Sequence, residues 1–89
     1  MAVMMTSEVS GQTLVGYSSL FDAVSLALKS APGFVMHASH PVDGGWRVVE
    51  IWNTREDAAR FFASMIAPHL PEGIRPKLSF AALHDVVQP

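Results

Sequence analysis

FVMHASHPVDGGWRVVEIW, residues 34–52, decides the fold. Asp43-Gly44 lies between two apolar runs rich in Val, Ile and aromatic residues, the strongest short-range hairpin signal a sequence offers. Two antiparallel strands are expected over 34–41 and 46–52, joined across Val42-Asp43-Gly44-Gly45. With Asp43 and Gly44 as the loop residues, Val42 pairs with Gly45 and His37 with Glu50. Successive side chains alternate between faces. One face then carries Phe34, Met36, Ala38, His40, Arg47, Val49 and Ile51; the other carries Val35, His37, Ser39, Trp46, Val48, Glu50 and Trp52.

Outward from the hairpin, a helix is expected on either side. Downstream, Thr54 and Asp57 have capping-box spacing, and Glu56 adds negative charge to the first turn. Ala58, Phe61, Phe62, Met65 and Ile66 recur at helical spacing, and Pro68 and Pro71 close the segment. Upstream, Tyr17, Leu20, Phe21, Val24 and Leu28 form the apolar stripe of a first helix that Pro32-Gly33 ends. Thr13 could cap it, which leaves Gly16 inside the helix at a cost of about 1 kcal/mol. Ser18 or Ser19 could cap it instead, with Asp22 three residues beyond Ser19. Residues 1–9 and 77–87 read as the first and last strands, and 71–76 as a loop. The order β-α-β-β-α-β is the split βαβ pattern, an α+β ferredoxin-like fold: a four-stranded antiparallel sheet with two helices on one face.

The 89 residues form a single domain over 1–89. A chain this small buries only about 60% of the surface its unfolded form exposes, so a partner helps it. With 49% hydrophobic and 16% charged residues, part of its apolar surface is expected to face a partner or a ligand. The more uniformly apolar hairpin face, with Met36 and Val49, is expected under the helices. Trp46 and Trp52 would then lie uncovered, and a second copy of the sheet is the simplest cover, giving a homodimer with a cavity between two sheets. Six Lys and Arg scattered along a chain of net charge −2 argue against nucleic acid. No apolar stretch reaches membrane-spanning length, and Met1 to Glu8 has no basic leader region. No cysteine is present, which removes disulfides and thiol nucleophiles and suits a cytoplasmic protein.

His37 and Glu50 are the candidate catalytic pair. Directly opposite on paired strands, their Cβ atoms lie about 4.5–5.5 Å apart. The carboxylate fixes the imidazole's orientation, so His37 can serve as a general base with Glu50 as its orienter. The alternative is an ordinary cross-strand pair. Trp52 and Trp46 offer flat apolar walls with one N–H donor each, suited to an aromatic ligand or to interface packing. Tyr17 lies on the apolar helix face with its hydroxyl at an edge. His84 shares parity with Leu78, Phe80, Ala82 and Val86 in the last strand. His69 and His40 are expected at the surface. His37 and His40 point to opposite faces of one strand and cannot chelate a shared metal. No Gly-rich phosphate loop or Gly-x-Ser-x-Gly elbow occurs, so no cofactor and no metal is expected.

The stretch GFVMHASHPVDGGWRVVEIWNTREDAARFFASMIAPHL (Gly33 to Leu70) resembles the antibiotic biosynthesis monooxygenase-like family of dimeric α/β barrels. The shared features are His37 in the second strand, Gly44-Gly45-Trp46 after the turn, and the apolar strand ending at Trp52 before the Thr54 cap. Phe61-Phe62 within the helix and Pro68 after it also match. GQTLVGY (Gly11 to Tyr17) is similar to the family's entry into its first helix, which favours Thr13 as the cap, and LHDVV (Leu83 to Val87) looks like its closing strand. The resemblance implies a ferredoxin-like protomer that pairs into a dimer. It also implies oxygenation of a small aromatic or polyketide-type molecule, anthrone-like, without metal or flavin. These oxygenases hold the substrate oxygen with a Trp and an Asn. Trp52 matches the Trp, Asn53 follows it, and no other Asn occurs. Trp46, Trp52, Asn53, His84 and Tyr17 are accordingly expected to bind substrate. The family's haem degraders carry an Asn in the first strand, a Trp in the second helix and a His nine residues on. Here the helix position is Phe and His69 is wrongly spaced. The alternatives are a cyclase or isomerase of polyketides on the same fold, or a dimeric binding or accessory protein without catalysis.

Overall fold

A computed structural model describes residues 1–89. β1 (Val3–Ser10) leads through Gly11 to α1 (Leu14–Lys29). β2 (Phe34–Val42) and β3 (Gly45–Trp52) form the central hairpin, and α2 (Arg55–Phe61) follows. The helix continues through a wide π-type turn over Phe62–Ile66 and a tight turn over Ala67–His69, and β4 (Lys77–Ala82) closes the chain. The sheet is antiparallel with order β2-β3-β1-β4, the expected ferredoxin-like arrangement. β4 ends five residues short of the expected strand, at Ala82.

Both caps follow from side-chain chemistry. Thr13 Oγ1 accepts the Gly16 N–H at 3.0 Å, so α1 starts at the earliest of the three candidate caps. Thr54 Oγ1 accepts the Asp57 N–H at 3.1 Å. The hairpin turn places only Gly44 at positive φ (73°). His37 pairs with Glu50, as the turn register requires. Toward the far end of β2 the ladder shifts by one residue, with Met36 opposite Ile51 and Phe34 opposite Trp52. Val35 is the extra residue of a bulge, which turns Phe34 onto the Trp52 side, edge-on to that indole at 5.5 Å.

The helices cover the other hairpin face from the one expected. Trp52 is fully buried among Met5, Leu28, Ala58 and Phe61, and Trp46 stacks on Tyr17 of α1. The open face carries Met4, Met36, Ala38, His40, Arg47, Val49 and Ile51, none of them buried. Two indoles hide more apolar area than the short aliphatic chains of the opposite face, and the polar groups beside them are satisfied by one another. The indoles are therefore not what a second copy would cover, and the cavity lies between helices and sheet rather than between two sheets.

Candidate functional site

Four side chains from three elements form one hydrogen-bonded chain. Glu50, in the middle of β3, is 6% exposed. Its Oε1 accepts the indole N–H of Trp52, two residues along the same face, at 3.0 Å. Its Oε2 lies 2.7 Å from His37 Nδ1 across the strand pair. A carboxylate only accepts, so Nδ1 carries the hydrogen and Nε2 is left as the acceptor. Nε2 meets the Tyr17 hydroxyl from the first turns of α1 at 2.6 Å. Burial pushes the Tyr17 phenol above its ordinary value of 10.0, the Ser39 hydroxyl opposes that shift and the Glu50 charge reinforces it. Tyr17 is therefore the donor of this last bond.

The chain borders an apolar cavity of about 70 Å³ between α1, the π-type turn and the sheet. Phe21, Leu20, Phe62 and Ile66 supply its apolar wall; Tyr17, His37, Glu50, Ser7 and Gln12 supply the polar one. No Lys or Arg reaches it. The π-type turn bulges α2 at the cavity, a distortion frequent at functional sites. Phe21 packs against the His37 ring at 5.1 Å and Tyr17 lies nearly parallel to Trp46 at 4.9 Å.

Of the residues singled out in the sequence, His37, Glu50 and Tyr17 meet on this wall. Trp52 and Trp46 stand behind it. Trp52, at 0% exposure, spends its N–H on Glu50, so it presents neither a stacking face nor a free donor to a ligand. Trp46 is 8% exposed and its N–H is buried without an acceptor. Asn53 is exposed beyond β3, its backbone N–H bonded to the Gly33 carbonyl at 2.7 Å. His84 is exposed past the end of β4, because the strand stops before its parity can apply. His69 is exposed and bonds the Met65 carbonyl at 2.8 Å, away from the cavity. Ser7 and Gln12 are buried polar residues the sequence reading missed. Ser7 was legible as the same-face neighbour of Met5 and Val9 once β1 was placed; Gln12 sits in a connection with no periodicity.

No protein-family profile matches the sequence, and no curated protein does. Solved structures do. SnoaB, a cofactor-independent oxygenase from Streptomyces nogalater, superposes with a TM-score of 0.73 at 16% identity, over 99% of this chain and 98% of its own. The fold is that of the antibiotic biosynthesis monooxygenase-like proteins. MhuD, a haem degrader from Mycobacterium tuberculosis solved with two haems, superposes at 0.59 with 20% identity, over 99% and 100% of the two chains. The monooxygenase ActVA-Orf6 of Streptomyces coelicolor, solved with nanaomycin D, does so at 0.51 with 16% identity, over 99% and 90%. Identities this low establish shared architecture and leave chemistry to the site. The residues here offer a haem no free ligand: His37 is the one histidine on the cavity wall and both its ring nitrogens are hydrogen-bonded, and His69 bonds the Met65 carbonyl instead.

Proposed function

We propose that this protein is a cofactor-independent monooxygenase-like enzyme that oxidises a small aromatic or polyketide-type substrate in the cavity between helices and sheet. The observation that carries the reading is the Tyr17–His37–Glu50–Trp52 chain on the wall of an apolar pocket. Glu50, anchored by the Trp52 N–H, holds His37 in the tautomer whose Nε2 is a base. When a substrate oxygen takes the Tyr17 hydroxyl, Nε2 is released to accept a proton from the activated C–H or O–H. The resulting anion is electron-rich enough to pass an electron to O₂. Recombination gives a hydroperoxide, and loss of water leaves a carbonyl: a CH₂ becomes C=O, with one oxygen atom retained and the other released as water. The protein supplies the base, a donor to the developing oxyanion and a water-poor cavity. The likeness to SnoaB and ActVA-Orf6 supports the reaction class.

The cavity is smaller than the roughly 150 Å³ that houses a benzene ring. Substrate entry therefore moves α1 and the π-type turn apart. The test is oxygen uptake with anthrone and dihydroxynaphthalene in chelator-treated, flavin-free buffer. Uptake above the uncatalysed rate that drops at least a hundredfold in His37→Ala, the scale of a lost general base, is the expected result. Full turnover in His37→Ala removes His37 from the scheme. One observation favours a second reading, a binding protein without turnover: both ring nitrogens of His37 are already engaged. In that case the same ligands bind and no oxygen is consumed.

A further inference from the structure

A second, open cleft of about 710 Å³ lies where the entry to α1 meets the turn end of the β2–β3 hairpin. Gln12, Thr13 and Leu14 border it from the helix side, and Pro41, Val42 and Trp46 from the hairpin. The Gly11 N–H donates to the Gly44 carbonyl at 2.8 Å, which ties the two sides together. Of these residues only Gln12 also borders the helix–sheet cavity, so the cleft is a separate space. Two sets of donors here have no acceptor in the protein. The first is the Trp46 indole N–H, on a side chain 8% exposed. One face of that ring lies against Tyr17 at 4.9 Å, and of the cavity and the cleft Trp46 borders only the cleft. Buried donors are hydrogen-bonded in folded proteins, and the acceptor this one lacks comes from the cleft side. The second is the N-terminus of α1, a helix of 16 residues. Thr13 Oγ1 takes the Gly16 N–H, which leaves the Leu14 and Val15 N–H groups without a partner. The positive end of the helix dipole meets no acidic side chain in the first turn. No charged side chain of either sign borders the cleft.

We propose that this cleft binds the carboxylate of a small organic acid. A carboxylate offers two acceptor oxygens, enough for the helix N–H groups and the indole together. The donors are neutral and no Lys or Arg joins them, so the site suits one negative charge rather than a phosphate dianion. Leu14, Pro41, Val42 and the indole supply apolar surface for the rest of the acid. The ligand is thus a monocarboxylate with an apolar body, an aryl or short acyl acid. Its binding does not depend on whether the helix–sheet cavity turns a substrate over.

The probe is benzoate, titrated into isotope-labelled protein beside benzamide, its neutral isostere, and inorganic phosphate. Trp46→Phe tells the two indole N–H resonances apart. Benzoate is expected to move the Trp46 resonance saturably downfield and to leave that of Trp52, already bonded to Glu50, in place. Benzamide and phosphate should each bind about tenfold more weakly, the scale of a charge-assisted hydrogen bond. Leu14→Pro tests the helix end. The first helical position accepts proline, and Thr13 before it is already extended at φ −117° and ψ 166°, so the variant keeps α1 and loses one donor. It and Trp46→Phe are each expected to lose about tenfold in benzoate affinity, read from backbone amide shifts. A Trp46 resonance that stays in place with benzoate overturns the site in the wild type alone, whatever the variants do. Equal binding of benzamide overturns the negative charge, tighter binding of phosphate overturns the carboxylate class, and unchanged affinity in Leu14→Pro overturns the role of the helix end.

Discussion

Glu50 and the two tryptophans set the behaviour of the site residue by residue. Both indoles are at least nine-tenths buried, yet their N–H groups differ: that of Trp52 bonds Glu50, that of Trp46 bonds nothing. Trp52→Phe removes ring volume and also strips a buried carboxylate oxygen of its donor, which adds about 1–3 kcal/mol to the cost of the lost packing. Trp46→Phe removes comparable ring volume together with an orphaned donor, so its loss is partly offset. Chemical denaturation of the two variants is expected to rank Trp52→Phe as the more damaging by at least about 1 kcal/mol. Equal losses would mean that the Glu50 bond contributes nothing to stability. The same residue-scale logic explains why His37 and Glu50 tolerate burial: each polar atom of the pair that faces inward has a partner.

At the scale of elements, an ion pair links β1 to β3 on the open face. Arg47 donates through Nε and, at 3.1 Å, through Nη2 to the Glu8 carboxylate. The Arg47 guanidinium holds the Glu8 carboxyl below its ordinary 4.5. The folded chain thus binds that proton less readily than the unfolded one. The pair's contribution is complete above pH 4.5 and is lost as pH falls below it through the depressed folded value. Thermal melts of wild type and Glu8→Gln should differ at pH 6 and converge toward pH 3; a gap that does not change with pH would show that the pair is silent. Elements also mark where the sequence was legible. The Asp43-Gly44 turn set the hairpin register, and with it the meeting of His37 and Glu50; Thr54 marked the start of α2. Alternation told which side chains share a face, but not which face the helices take. Counting apolar residues favoured the Met36 and Val49 face, whereas buried area favoured the indoles, which carry fewer but larger side chains. The Val35 bulge was invisible, because nothing in Phe34-Val35-Met36 distinguishes a bulge from a regular strand. Gln12 escaped because what buries it is the space beside Gly16, a residue with which it shares no period.

At the scale of the whole molecule, the sheet leaves one face uncovered, and its chemistry is graded. Ala81, Met4, Ile51 and Met36 align as an apolar row, Ser79, Thr6, Val49 and Ala38 as a small-residue row, and Lys77, Glu8, Arg47 and His40 as a charged row. We propose that a second copy packs here, sheet against sheet, so that the homodimer rests on this face and not on the indoles. A two-fold interface repeats each contact, so one bulky charge near its centre is introduced twice. Val49, paired with Thr6 and Ala38, occupies that centre. The wild type is expected to run in light scattering at twice the 9.6 kDa protomer mass, and Val49→Arg at the protomer mass. Because the cavity lies on the opposite side of the sheet, the variant should keep its oxygen uptake with anthrone while losing its partner. Loss of both would mean that the partner shapes the cavity through the sheet. A wild type that is monomeric at the highest attainable concentration would leave the open face to water and remove the dimer.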